Sequence, residues 1–454
     1  MRSYDIMTYK TSRRGNARRM LKIAGVALSV AAMAACSDFL VADNPGAVEE
    51  PDVNNIAYVN LLANAPIFGF QGAYDDLLWW NGQLTDEIVN NNSGNPFAEE
   101  GQIDRRELYA DMTYIPAFIY SPMQRARYLA EDAARRMEVL MPDSAASDIR
   151  VARAYAFAGY GYVALGESFC TTPIDNGVPK TSEEMFTDAV SRFNSAITIA
   201  QAYKAKVQGR LPLVPAAVNG ADSVINFARV GAARASLGKN DKAAAATFAA
   251  AVPANFEYLL WYGTTVASEQ ARIYNRIGAG ATNGWMRNTP FMAMETDPRI
   301  PRITAAVSTA REGVPLSPLT YTTYNGLPGA LGGPILPDMG HKVATGLEAR
   351  YIVAEVNGPT AATLAFVNER RAVGKQDPVD LTGAALMAEL RNQRARDFYL
   401  SGQRLGDLRR YLKYDNIDLF PSGAYPGSTT GQVYDTSITC WPLPTIEVNA
   451  NPNI

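Results

Sequence analysis

Apolar residues recur every three or four positions over much of the chain from about residue 120, and this spacing predicts helices. The clearest case follows Ser121-Pro122, a pair typical of a helix start because proline fits the first helical position. Pro142 ends the pattern. The predicted buried face consists of Met123, Ala126, Ala130, Ala133, Met137 and Leu140.

Two more helices are predicted next along the chain. Residues 145–165 are rich in Ala, Gly and Tyr, so a neighbouring helix can approach closely while the tyrosines fill the remaining gaps. Thr181 and Glu184 have the spacing of a capping box, in which each side chain accepts a bond from the other residue's backbone N–H. An apolar face then follows at Met185, Ala189, Phe193, Ala196 and Ala200.

Three segments resemble helix pairs of the tetratricopeptide type. Residues 224–252 contain Leu237-Gly238 followed by an Ala-x-x-x-Phe-x-x-Ala pattern, and a second Leu-Gly ends the helix at residues 165–166. Residues 347–372 give a third possible pair. One pair cannot bury its own apolar face, so the pattern predicts a mainly α fold, an α-solenoid of about four helix pairs.

Two stretches interrupt the helical pattern. Residues 271–340 contain nine Gly and eight Pro, about twice the average density, and we interpret them as a loop-rich insertion that faces a ligand. Residues 415–454 form an irregular tail, in which Pro442 and Pro444 exclude helix.

The N-terminus has the pattern of an export signal. Seven basic residues and one acid lie in residues 1–35, and the apolar run Ile23–Ala35 is too short to span a bilayer. Met33-Ala34-Ala35-Cys36 resembles a bacterial lipobox, so Cys36 is the predicted lipid attachment site; the alternative is ordinary cleavage after Ala35. Residues 36–53 are a predicted flexible tether, and residues 54–454 a single helical domain.

Charge and cysteine content add two expectations. Without residues 1–35 the chain carries a formal charge of about −9, so contact with a membrane would depend on acyl chains at Cys36. Cys170 and Cys440 remain, and in an exported protein an even pair indicates a disulfide. Two buried free thiols are the alternative. Nothing in the charge pattern indicates nucleic-acid binding.

Signals for catalysis are weak. The chain has one histidine, His341, and lacks Walker, GxGxxG and Gly-x-Ser-x-Gly motifs. We therefore predict no enzyme activity, no metal site and no cofactor. Asp75-Asp76 and Asp86-Glu87 flank a tryptophan pair and are interpreted as solvated helix or cap residues, although paired carboxylates for sugar hydrolysis stay open.

The tryptophans are the main candidates for ligand contact. Trp79 and Trp80 are adjacent, and adjacent side chains cannot both face the same core, so one of them is expected to face a ligand. Core packing is the alternative for each. Flat aromatic faces beside amide, carboxylate and guanidinium groups suit sugar rings. The candidate ligand-binding residues are Trp79, Trp80, Asn81, Asp75, Trp285, Arg287 and Tyr324.

Together these segments resemble the SusD/RagB family of outer-membrane nutrient-binding lipoproteins. The resemblance is carried by the lipobox and tether, by residues 153–169, 228–238 and 348–372, by LRNQRARDFYLSGQRLGDLRRY at 390–411, and by WPLPTIEVNANPN at 441–453. Ser401 departs from the family pattern, which has an acid at that position. In the 390–411 segment, Arg396, Asp397, Arg404 and Asp407 are expected to form buried pairs that join helices.

The resemblance implies a surface-exposed, lipid-anchored protein of the outer membrane. Such a protein would bind an oligosaccharide or peptide and deliver it to a SusC-like TonB-dependent transporter, over which it hinges as a lid. Two other functions stay open at this point. One is a secreted glycan-active hydrolase on a helical scaffold, and the other is a helical adaptor that binds only proteins.

Overall fold

Long helices account for most of the chain, as the periodicity predicts. The computed structural model describes residues 54–90, 99–209, 214–265, 270–271, 284–286, 291, 297–300, 308–309, 315–318, 340–425 and 431–454. Its α-helices are α1 (Val59–Leu84), α2 (Glu99–Asp104), α3 (Ser121–Leu140), α4 (Ile149–Ser168), α5 (Ser182–Gln208), α6 (Pro215–Gly238), α7 (Lys242–Ala250), α8 (Gly346–Asn357), α9 (Ala361–Val373), α10 (Gly383–Asp397), α11 (Arg404–Asp415) and α12 (Thr445–Ala450).

The helices stack largely in chain order. Helix α1 packs on α3, α3 on α4, α4 on α5, α5 on α6, α6 on α7, and α7 on α8, while α9 packs on α10. Four consecutive pairs result: α3–α4, α5–α6, α7–α8 and α9–α10. The loop-rich segment separates the two helices of the third pair. The expected mainly helical fold is therefore confirmed, and the loop-rich segment lies within the third pair.

Glycines set the close spacing between helices, as the composition of α4 predicts. A Cβ atom added to Gly159 of α4 would lie 2.6 Å from the Phe193 ring of α5, and one added to Gly231 of α6 would lie 2.2 Å from the same ring. Phe193 is fully buried between the two glycines. Any larger residue at either position would push the helices apart.

Helix starts follow the sequence signals in part. The Thr181–Glu184 capping box is present at the start of α5, with the Thr181 Oγ1 accepting from the Glu184 N–H. Ser121, expected to cap α3, is itself helical and follows a π-helical turn at Ile115–Tyr120. The last helix, α12, begins directly after Pro444, so the tail is irregular only up to that point.

Short strands occupy the segments between helices. Strands β4 (Glu257–Trp261) and β8 (Gly340–Thr345) pair antiparallel on the two sides of the insertion, and β2 (Thr171–Thr172) pairs with β3 (Lys180–Thr181). A four-stranded antiparallel sheet has the order β1 (Val89–Asn90), β5 (Gly284–Met286), β7 (Pro315–Pro318) and β6 (Ser308–Thr309). The sheet thus joins the chain just after α1 to the insertion.

Covalent and ionic links hold the C-terminal part against the helices. Cys170 and Cys440, the candidate pair, are joined by a disulfide across 270 residues of sequence. The buried Arg404 of α11 donates to both Asp86 oxygens at 2.7 and 2.6 Å. Asp397 accepts from Arg370 and from Arg299, which places it at a junction of buried charges. The structural role expected for the 390–411 segment agrees with these contacts.

The described helices do not have the length and apolar character of a membrane span. Within residues 54–454 and the described ranges given above, no helix is both long enough and apolar enough to cross a membrane. Cys36, the predicted lipid attachment residue, and the predicted leader and tether lie outside the described residues.

Candidate functional site

The tryptophan pair is buried, so the sequence argument about it is wrong. Both Trp79 and Trp80 are fully buried in α1. The Trp80 indole stacks on Tyr114, with ring centroids 5.0 Å apart, and on Phe118 at 6.0 Å. An outward-facing tryptophan would require that α1 has only one buried side. Its second half is instead enclosed on all sides by α3, α4, α11 and the 115–120 turn.

The polar candidates beside this pair are internal as well. The buried Asn81 amide donates to Ser168 Oγ at 3.0 Å and accepts from the Trp441 indole N–H at 2.8 Å, which joins α1 to α4 and the tail. Asp75 is fully buried, 3.5 Å from His341 Nε2. These contacts place both residues in the core, and neither side chain faces a ligand.

The acidic pairs interpreted as solvated are buried too. Asp76 and Glu87 are almost completely inaccessible, and Asp86 is the partner of Arg404. Glu87 Oε1 accepts from the Leu400 N–H at 2.7 Å, and burial raises the pKa of Glu87 to about 8. Since these carboxylates have no access to solvent, this group offers no pair for sugar hydrolysis.

The candidates in the insertion have different outcomes. The backbone of Trp285 lies in β5, in register with Val89 on one side and Pro318 on the other. Arg287 and Tyr324 lie outside the described residues. The strand that follows α1 therefore pairs with the strand that contains Trp285.

Trp261 was missed by the sequence argument. It is 66% exposed, whereas Trp79, Trp80 and Trp441 are fully buried. Trp261 ends β4 opposite Gly340, the first residue of β8, so it lies where the insertion leaves and rejoins the helical body. The indole lies against Gly340, since a Cβ added there would be 3.2 Å from the ring.

Burial alternates along the chain around Trp261. Leu260 and Tyr262 are buried, and Trp261 between them is exposed, which is the pattern of a strand with one face on the core. Residues 258–262 are all apolar or aromatic, so the sequence itself does not distinguish the outward face of this strand.

Hydrogen bonds to α1 hold the chain around Trp261 in place. The Gln71 amide donates to the Trp261 carbonyl oxygen, and the Tyr262 hydroxyl donates to the Gln71 carbonyl oxygen at 2.9 Å. The Tyr262 ring also contacts the buried His341 ring, with centroids 4.7 Å apart. Helix α1 thereby holds the end of β4, and a fixed aromatic face loses little entropy when it binds a ligand.

His341 has the wrong environment for proton transfer at neutral pH. Burial lowers its pKa to about 3, so the imidazole is neutral. Cys170 and Cys440 are oxidised to a disulfide and supply no thiolate. In the part of the chain that the structure describes, no group of three or more His, Cys, Asp or Glu is placed to hold a metal ion.

Comparison with known proteins identifies the fold. No family model and no curated protein matches the chain. Among solved structures, a SusD superfamily protein from Bacteroides thetaiotaomicron superposes with a TM-score of 0.63 at 13% identity, covering 88% of this chain and 99% of that chain. The fold is that of the SusD superfamily.

Other structures with the SusD fold agree. Surface glycan-binding protein A from Bacteroides thetaiotaomicron, in complex with laminarihexaose, has a TM-score of 0.62 at 13% identity and covers 88% of this chain and 98% of that chain. Surface glycan-binding protein A from Bacteroides uniformis gives 0.62 at 12% identity, with 88% and 98% covered.

Proposed function

We propose that this SusD-like chain is a lipid-anchored protein of the outer membrane that binds an oligosaccharide and passes it to a TonB-dependent transporter, without catalysis. The observation that carries the binding proposal is the exposed Trp261 indole on a fixed base where the insertion joins the body. Two of the similar structures are surface glycan-binding proteins, one of them in complex with laminarihexaose, which supports a glycan rather than a peptide as ligand.

The chemistry of an indole face fits this ligand. A pyranose ring presents a face of C–H groups that stacks on a flat aromatic surface, and its hydroxyls bond to polar groups around the edge. Laminarihexaose is therefore the first probe, followed by a panel of plant and microbial glycans. In a Trp261→Ala variant, affinity should fall about 10- to 30-fold, or about 1.4 to 2 kcal/mol, the range of an aromatic anchor residue.

The matched control is Tyr109→Ala. Tyr109 is another half-exposed aromatic residue, in the loop that the Thr445 N–H contacts through the Ala110 carbonyl. We expect this variant to bind like the parent chain. Equal loss in both variants, or no loss in Trp261→Ala, would remove Trp261 from the binding site.

Anchoring and delivery have separate tests. Mass spectrometry of the protein from its native host should show acyl chains on Cys36, and Cys36→Ser should release the protein from the membrane fraction. A TonB-dependent barrel should co-purify with the intact lipoprotein from detergent extracts. A soluble, unacylated protein would contradict the anchor, and purification without any barrel would contradict delivery.

A further inference from the structure

A cavity lies between the helices, and its described lining residues are outside the 271–340 insertion. Its volume is about 300 Å³, at the lower end of the range of about 300–1,000 Å³ for small-molecule sites. The walls come from the end of α4, the start of α5, the end of α6, and from α8, α10 and α11. We call it the arginine cavity. Its charged wall residues are Glu167, Glu183, Arg234, Arg394, Asp407, Arg409, Arg410 and Lys413.

Most of the carboxylates in this wall already have partners. Asp407 accepts from Arg394 at 2.7 Å and from Arg410 at 3.0 Å. Glu183 accepts from Lys413 and from the Tyr414 hydroxyl. Burial disfavours ionisation of Asp407, but the two guanidinium groups outweigh it and hold its pKa below the ordinary value. These carboxylates are therefore occupied and do not offer a cation site.

Among the described residues, two of the guanidinium groups in the wall lack either a bonded carboxylate or an acceptor for one of their N–H groups. Arg409 donates to the carbonyl oxygens of Gly166 and Glu167, both at 2.8 Å, and to Ser182 Oγ at 2.9 Å, which are all uncharged acceptors. Burial lowers the pKa of Arg409 to about 10, so it is still a cation at neutral pH. Its charge has no carboxylate bonded to it.

Arg394 adds a second unmatched donor. Its Nε bonds to Asp407 and its Nη2 to Gln403, while its buried Nη1 has no hydrogen-bond partner. A buried guanidinium N–H without an acceptor is unfavourable and is commonly satisfied by a bound oxygen atom. Both unmatched features favour an acceptor with negative charge.

Glu167 is the remaining acid in the wall. Its side chain lies against Gly406, where an added Cβ would be 2.7 Å from Glu167 Cγ. Burial raises its pKa to about 7 against the opposing effect of Arg234. A group with this pKa is half protonated at neutral pH, and its O–H can then donate to an entering oxygen.

We propose that the arginine cavity binds a small oxyanion, a carboxylate or a phosphate-type group, between Arg394 and Arg409, with Glu167 protonated in the complex. Its shape and charge do not depend on Trp261 or on glycan binding. The protein would then bind a small anionic ligand between its helix repeats, in addition to a glycan.

The proton taken up by Glu167 makes binding depend on pH. Because the pKa of Glu167 is about 7, its protonated fraction falls about tenfold between pH 6 and pH 8. The affinity for the anion should fall by the same factor. The groups that face Glu167 are the Tyr74 hydroxyl of α1, Arg234 of α6, Glu348 of α8, Arg394 of α10, and Asp407 and Arg409 of α11.

The test is calorimetric titration of the full chain with tartrate and with sulfate at constant ionic strength. Neither probe changes charge between pH 6 and pH 8, and chloride at equal ionic strength serves as the reference. Tartrate represents a carboxylate ligand, and sulfate represents a phosphate-type ligand. The probe that binds more tightly therefore identifies the chemical class of the anion. We expect saturable binding at one site, about tenfold tighter at pH 6 than at pH 8.

Two variants make the test specific. Glu167→Gln should bind equally well at both pH values, because its amide cannot ionise. Arg409→Gln should weaken binding at least tenfold, while Arg409→Lys, which keeps the charge, should keep most of the affinity. Arg350→Gln is the matched control, since Arg350 lies outside the cavity in an exposed pair with Glu369.

Three results would overturn the proposal. The first is the absence of saturable binding by both probes to the folded parent protein. The second is equal binding by Arg409→Gln and Arg350→Gln. The third is a parent affinity that does not change between pH 6 and pH 8. Near-ultraviolet circular dichroism of each variant establishes that it is folded.

Discussion

Glu87 gives the sharpest prediction about stability. It follows α1 directly and is buried, with one oxygen bonded to the Leu400 N–H and the other, Oε2, without a hydrogen-bond partner. Burial raises its pKa from 4.5 to about 8. In Glu87→Gln, the amide oxygen can keep the bond to Leu400 and the ionisable group is removed.

The sign follows from the direction of the shift. A carboxyl whose pKa is raised by folding stabilises the native state fully below pH 4.5, and this contribution is lost as the pH rises to about 8. Each pKa unit corresponds to about 1.4 kcal/mol, so the parent should lose about 3 to 4 kcal/mol from this group between pH 5 and pH 8. Glu87→Gln should therefore be clearly more stable than the parent at pH 8 and nearly equal at pH 5.

The assay is urea unfolding of both proteins at pH 5, 6, 7 and 8, followed by circular dichroism. Glu257→Gln is the control, because Glu257 forms an exposed pair with Lys342 and should change the free energy of unfolding by no more than about 1 kcal/mol. A difference between Glu87→Gln and the parent that does not grow with pH would refute the reasoning.

Two further predictions concern packing and the disulfide. Gly231→Ala should lower the free energy of unfolding by about 1 to 3 kcal/mol because its Cβ would overlap the Phe193 ring, whereas Gly220→Ala, in the same helix with open space around it, should raise it by up to about 1 kcal/mol; urea titration of both variants measures the contrast. A Cys170→Ser, Cys440→Ser double variant should lose up to about 5 kcal/mol of the free energy of unfolding on the chain-entropy model, so it should unfold at a lower temperature. An unchanged thermal midpoint would show that closing this loop does not stabilise the protein.

The sequence predicted the helices because their signals are local. The capping box depends on Thr181 and Glu184 alone, and the three- and four-residue spacing after Met123 lies within a single helix. The small residues of α4 predicted close packing, and Gly159 against Phe193 is an instance of it. Periodicity and composition contain this information directly.

The partners of buried groups could not be predicted in this way. Asp86 pairs with Arg404, 318 positions later, and no local pattern indicates such a contact. Trp80 is covered by Tyr114, which directly precedes the π-helical turn Ile115–Tyr120, and by Phe118 within that turn. The spacing of apolar residues does not predict this turn. The second half of α1 is enclosed by α3, α4 and α11, which lie far away along the chain, so the two tryptophans were assigned to the wrong environment.

Trp261 marks the opposite error. Its exposure follows from a short strand whose neighbours Leu260 and Tyr262 face the core. Residues 258–262 are all apolar or aromatic, so the sequence shows no alternation there, and the strand pairs with Gly340, on the far side of the insertion. Only the pairing reveals that the indole lies where the insertion meets the body.

The most direct test of the central claim is glycan binding by the protein in detergent, measured together with release of reducing sugar. The account predicts retention of a glycan from the panel that starts with laminarihexaose, a 10- to 30-fold loss in Trp261→Ala, and no release of reducing ends. Failure to bind every glycan offered, equal binding by Trp261→Ala, or turnover of the bound glycan would contradict it.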